Sequence, residues 1–139
     1  ASLSQADKRG RKGAQLKAML TACRMPKELA EKYAQLVEHL ASEETDERRR
    51  KELEQMAGNL HRVPWESAST FWEALQSLWL THMLVMSDEN YPGPGLSFGR
   101  IDQYLLPYWE KSLSEGMEPE FGQEILKCFW FHVNTATTP

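Results

Sequence analysis

The sequence predicts a mainly α-helical chain of about six helices with one Pro/Gly-rich loop. Three observations carry that expectation. Apolar residues recur at helical spacing, as in Leu29, Tyr33, Leu36, Val37 and Leu40. Opposite charges sit where helix neighbours meet, as in Glu43, Glu44, Asp46 and Glu47 followed by Arg48 to Lys51. Prolines and glycines stand where helices would open and close. A length of 139 residues suits one folded unit, and 41% hydrophobic with 26% charged residues suits a folded rather than a disordered chain.

Charge and aromaticity divide the chain into two stretches. Residues 1–62 form a charged helical layer, and residues 63–139 hold apolar, aromatic-rich helices and the loop. Up to Pro64 the chain has 13 of the 16 Lys and Arg but only ten of the 20 acids, a net +3. Beyond it the balance is −7, and 13 of the 14 aromatic residues lie there, Tyr33 being the exception. The first stretch therefore reads as a solvated layer and the second as material from a large core.

Element by element, a first helix is expected over about 4–22, with Leu16, Met19 and Leu20 as its apolar face and a basic opening interrupted by Gly10 and Gly13. Pro26 suits the first turn of a second helix, where its missing N–H costs nothing. A third helix, about 43–60, closes at Gly58 and Asn59. Pro64 breaks the chain, and Thr70 with Glu73 has capping-box spacing before a fourth helix. From Phe71 to Met86 that helix is apolar at 11 of 16 positions, nearly all round. Such a helix belongs inside a large protein, and a 139-residue bundle could scarcely cover it. A fifth helix runs from about Arg100 to Glu115, bent or interrupted near Pro107, and stops at Gly116. Pro119 opens the sixth, with Phe121, Ile125, Phe129, Trp130 and Val133 on one face. The closing "NTATTP" has no stop signal except its proline and reads as a cut.

Composition excludes several function classes. No apolar run reaches the roughly 20 residues of a membrane span, and no signal-peptide pattern opens the chain. Cys23 and Cys128 lie far apart, without CxxC or histidine spacing, which argues against a disulfide framework or zinc site and fits a reducing cytoplasm. Both are expected to be small buried apolar groups rather than nucleophiles. His82, on the apolar helix, has no HxxxH, HExxH or ExxH partner and reads as a satisfied core histidine. The basic "KRGRKG" lacks interleaved aromatics, so a solvated helix start is favoured over nucleic-acid or membrane binding. The glycines of "YPGPGLSFG" do not have phosphate-cradle spacing.

The loop "SDENYPGPGLSFG" holds two stiff Pro-Gly turns and carries Asp88, Glu89 and Asn90 straight out of an apolar helix. Acids at the mouth of an apolar interior suit binding of a cation, amine or hydroxyl, or else cap loop N–H groups; both readings stand. Arg100 and Asp102, two residues apart, should point different ways on a helix and so not pair with each other.

Taken together, Val63-Pro64 followed by Phe71, Glu73, Ala74 and Gln76, then Gly99, Arg100, Asp102, Gln103 and Tyr104, then "EILKCFWFHVN", resemble the N-terminal half of the glycyl radical enzymes, the pyruvate formate-lyase-like family. Glu73, Gln76, Arg100, Asp102 and Gln103 match the family's structural motifs. The resemblance implies a piece of a much longer chain built on a ten-stranded α/β barrel wrapped in helices. The full-length form would be a lyase or acyltransferase that cleaves C–O, C–N or C–C bonds in a small polar metabolite by radical chemistry. It implies a glycyl radical installed by a radical SAM activating enzyme, no directly bound cofactor or metal, a homodimeric parent, and anaerobic, cytoplasmic metabolism. The family's radical cysteine loop and glycyl motif match nothing here, since "TACRMP", "LKCFWF", Gly116 and Gly122 do not fit them. The segment alone is therefore expected to be inactive. Its loop resembles those of members acting on small polar substrates, such as the hydroxyproline dehydratase-like and related eliminating or decarboxylating enzymes, which implies Asp88, with Glu89 and Ser97 behind it, near the substrate. The competing expectation is a free-standing helical interaction module without catalysis.

Overall fold

The computed structural model describes residues 10–88 and 97–137, and these form five helices: α1 Arg11–Glu43, α2 Glu47–Arg62, α3 Phe71–Asp88, α4 Ile101–Ser114 and α5 Pro119–Thr137. Among the described residues there is no strand, and no helix is long and apolar enough to cross a membrane.

The two N-terminal helices expected on either side of Pro26 are one. α1 runs through Pro26 for 33 residues. A proline there withholds one hydrogen bond, from the carbonyl of Ala22. Ala22 is exposed, so water can serve that carbonyl, and the flanking Ala, Leu, Met, Lys and Glu all favour helix. The face that packs is only partly the expected one: Val37 is buried and Leu29 packs beside it, but alanines make up the rest. Ala30, Ala34, Val37 and Ala41 are buried against Leu53, Ala57 and Leu60 of α2, with Leu80 of α3 behind them. Small side chains let the two helix backbones approach closely. Leu36 and Leu40 are left facing outward, and Tyr33 is only partly covered.

α2 starts at Glu47 rather than near Glu43. Glu44 Oε1 takes the backbone N–H groups of Thr45 (2.8 Å) and Asp46 (3.0 Å), turning the chain. Asp46 then caps the new helix by accepting from the N–H of Arg49 at 2.7 Å. Gly58 and Asn59 do not close it; the helix continues to Arg62. Asn59 is buried, with both ends of its amide bonded: Gln55 Nε2 donates to Oδ1 (2.8 Å), and Nδ2 donates to Gln76 Oε1 of α3. That chain of amides compensates for burying polar atoms and fixes how α3 sits against α2.

α3 touches both halves of the core. Leu80 joins the alanine cluster, while Phe71, Ala74 and Leu75 pack with Leu105 of α4 and Phe129 of α5. The Trp109 ring meets Phe71 edge-on at 5.0 Å between centroids. α4 carries Pro107 without interruption and ends in a Schellman turn. Met117 N–H bonds the carbonyl of Ser112 (2.9 Å), Gly116 N–H bonds that of Leu113 (3.1 Å), and Gly116 takes φ 99°, which glycine alone adopts cheaply. α5 passes so close to Trp109 that a Cβ at Gly122 would collide with the indole and with Met117.

Apolar surface is left uncovered, but elsewhere than the sequence suggests. Along Phe71–Met86 only Val85 is an exposed large apolar residue. The excess lies on α1 (Met19, Leu20, Met25, Tyr33, Leu36, Leu40) and at the end of α5, where Phe131 is 69% exposed. The helix expected to be solvated is the one with most bare apolar side chains. Both cysteines, expected to be buried, are exposed.

Candidate functional site

Asp88 is the last residue of α3 and Ser97 the first described residue after the loop, so the two stand at its two ends. Both are exposed. Glu89, with Asn90 and the Pro-Gly turns, lies outside the described residues. Ser97 Oγ accepts the N–H of Gly99 at 3.1 Å, which leaves its own proton free to donate. Gly99 then takes φ 61° and delivers the chain into α4.

The loop's exit is held from below by an aromatic group. Phe98 packs against His82 of α3 with 4.2 Å between ring centroids, and against Phe129 of α5 at 5.2 Å. Tyr104 donates its hydroxyl to the Phe98 carbonyl at 2.9 Å, and desolvation pushes that phenol's pKa upward. His82 is buried, as expected for a core histidine, and desolvation lowers its pKa, so the neutral ring is favoured.

Arg100 and Asp102 do pair, contrary to the helical-spacing expectation. Arg100 Nε reaches Asp102 Oδ1 at 2.9 Å and Nη2 reaches Oδ2 at 2.7 Å, a two-pronged bond. The expectation fails because Arg100 is the residue before the helix, at φ −85° and ψ 66°, so helical side-chain directions do not apply to it. The pairing draws the Asp102 carboxyl below its ordinary range and raises the guanidinium above its own. Gln103 is exposed on the same first turn.

Glu73 and Gln76 sit at the other end of α3, in a buried lock. Arg62 Nη1 meets Glu73 Oε1 at 2.8 Å, while Glu73 Oε2 accepts from the Ser69 N–H (2.6 Å) and hydroxyl (2.8 Å). Thr70 Oγ1 takes the Glu73 N–H at 3.2 Å, so half of the expected capping box forms, and the carboxylate reaches back one residue further. Ser112 of α4, buried, accepts the Phe71 N–H at 2.9 Å, and Lys111 donates to the Ser69 carbonyl at 2.8 Å. These groups hold the start of α3 and come nowhere near its other end. Sequence reasoning missed Ser112 and Asn59. Ser112 lies seven residues after the buried Leu105, on the same helix face, which is a visible signal.

Between α1, α2, α3 and α5 runs an apolar cleft of about 640 Å³, lined among others by Tyr33, Met56, Trp79, Met83, Phe129 and His132. Asp88 and Ser97 are not in its wall.

A family model described as pyruvate formate lyase-like matches residues 1–139. Isethionate sulfite-lyase from Desulfovibrio desulfuricans is 37% identical over 116 residues, 83% of this chain and 14% of that protein. The solved structure of hydroxyproline dehydratase from Clostridioides difficile, with trans-4-hydroxy-L-proline bound, is 31% identical. It superposes with a TM-score of 0.82 over 98% of this chain and 17% of its own. A glycyl radical enzyme from Archaeoglobus fulgidus is 40% identical, with a TM-score of 0.68 over 73% of this chain and 13% of its own. The chain thus spans about 10% to 16% of the length of the curated relatives it matches. With every described helix inside that match, the chain belongs to the pyruvate formate lyase-like family of glycyl radical enzymes, as a mainly helical segment.

Proposed function

We propose that this chain serves as a segment of a glycyl radical dehydratase or lyase, which breaks a C–O, C–N, C–C or related bond in a small polar metabolite. The supporting observation is the end-to-end family match to relatives several times longer, whose names are those of a dehydratase and a lyase. In this reading the helices wrap the barrel of the parent, a cytoplasmic homodimer activated by a radical SAM enzyme. The barrel would bring its own hydrogen-atom relay, and the segment by itself would turn nothing over. A glycyl radical signal in electron paramagnetic resonance, raised on the 139-residue chain by an activating enzyme, would contradict this.

Within the same reading, Asp88 touches the substrate's amine or hydroxyl, with Glu89 and Ser97 behind it. Asp88 stands at the carbonyl end of α3, where the helix dipole makes a carboxylate unfavourable by about 0.3–1 kcal/mol. That cost supports a cationic or hydroxylic ligand for Asp88, the alternative role being to cap N–H groups of the loop. Ser97 retains a hydroxyl proton to donate across the loop. The test is Asp88→Asn in the full-length enzyme, read as substrate affinity. Weakening by tenfold or more is expected; a change under twofold removes Asp88 from the site.

A further inference from the structure

His61 lies near the end of α2 and is set between two carboxylates of α1. Its Nε2 stands 2.8 Å from Glu38 Oε1 and its Nδ1 3.3 Å from Glu31 Oε2. Glu31 and Glu38 are seven residues apart, two turns along one face of α1, so the ring spans the gap between them. A carboxylate only accepts hydrogen bonds, and a neutral imidazole has one N–H and one lone pair. A neutral His61 would therefore satisfy one glutamate and turn a lone pair towards the other. Only the doubly protonated ring donates to both.

We propose that His61 is a proton-operated clamp on the α1–α2 packing, closed as an imidazolium bridging Glu38 and Glu31 and loosened when one ring proton leaves. The geometry does not suit a metal in its place, because the carboxylates lie on opposite ring nitrogens instead of converging on one point. Among the described residues no His, Cys, Asp and Glu side chains group as a metal site. Among the described residues, the charged groups that act on the ring are Glu38 and Glu31, both from α1. The hydrogen bond that His61 donates to Glu38 is the largest influence and raises the His61 pKa above 6.5, with Glu31 adding to it. The neighbouring packing surface is a row of alanines with few side-chain atoms to hold it, so a polar clamp at its edge has something to add.

The sign follows from linkage. A base with a raised pKa in the folded chain adds stability that is complete below its unfolded pKa and is lost as pH rises through the folded value. The pair is open to solvent, so the effect on the melting temperature is small, about 1–3 °C.

The test uses the 139-residue chain and its E38Q, E31Q and double variants, exposed changes that leave the core intact. Proton NMR titration should place the His61 midpoint above 6.5 in the parent chain, lower in E31Q, lower still in E38Q, and near 6.5 in the double variant. The melting temperature of the parent chain should exceed that of E38Q below pH 6.5, and the gap should close as pH rises past the His61 midpoint. A His61 midpoint at or below 6.5, or one unmoved by E38Q, overturns the proposal. So does a melting gap that does not change with pH.

Discussion

α1 and α3 are both helices with more apolar surface than one neighbour can cover, yet they end up differently. α3 is 18 residues long, lies between the alanine cluster and the aromatic cluster, and is covered along nearly its whole length. α1 is 33 residues, about 50 Å at 1.5 Å per residue, while α2 beside it has 16 residues and reaches about 24 Å. Among the described residues, half of α1 therefore has no partner of matching length, and Met19, Leu20 and Met25 lie in that half. Where α2 does lie alongside, it takes the alanine face and leaves Leu36 and Leu40 outside. Coverage follows from the neighbours a helix has, and only weakly from how greasy its own sequence is.

Substitutions sharpen that contrast. Phe71→Ala, in the aromatic cluster under Trp109, should cost about 3–5 kcal/mol in chemical denaturation. Leu36→Ala on the outer face of α1 should move the same chain by less than about 0.5 kcal/mol. Equal losses would mean that α1 packs on its leucines after all. Next in size are two overpacking changes. Ala34→Leu, at a position with no exposed surface, and Gly122→Ala, against the Trp109 indole, should each cost about 1–3 kcal/mol. Glu73→Gln removes the charge that Arg62 and Ser69 surround, and should lower the urea midpoint by an amount equivalent to about 1–2 kcal/mol, since Arg62 remains partly solvated.

The smallest effect is a pH dependence with opposite signs in the two helices' surroundings. His82, on α3, has a lowered pKa, so the unfolded chain binds the proton more readily and stability is lost as pH falls below 6.5. His61, against α1, loses stability as pH rises. His82→Leu should flatten the acid side of a melting-temperature profile, and E38Q should flatten the alkaline side. A single shift of the whole curve in both variants would contradict the assignment.

Several features were legible in the residues themselves. The helical class, the Gly116 stop, the Pro119 start and the core position of His82 follow from spacing and backbone chemistry, and each is found. Pro26 misled because a proline's cost depends on whether water reaches the abandoned carbonyl, which is a tertiary fact. The alanines of α1 were passed over because hydrophobic scales weight large side chains, whereas close helix packing favours small ones. Arg100 and Asp102 were misjudged by one residue of helix boundary, enough to swing a guanidinium onto its neighbour. Asn59 looked like a helix end by type, and only its distance to Gln76 reveals a buried amide bridge. Of the candidate substrate contacts, Asp88 and Ser97 lie at the two ends of the loop as chain order dictates, but no spacing rule says what they hold.

Cys23, on the uncovered part of α1, and Cys128, in the wall of the apolar cleft, report directly on whether these bare faces are docking faces of a larger enzyme. The decisive measurement is the rate at which a thiol reagent modifies each cysteine, in the 139-residue chain and in the full-length protein. Rates near those of a free thiol in the chain, falling at least tenfold at both positions in the full-length protein, are predicted. Equal rates in the two would mean that nothing covers these faces, and would contradict the account.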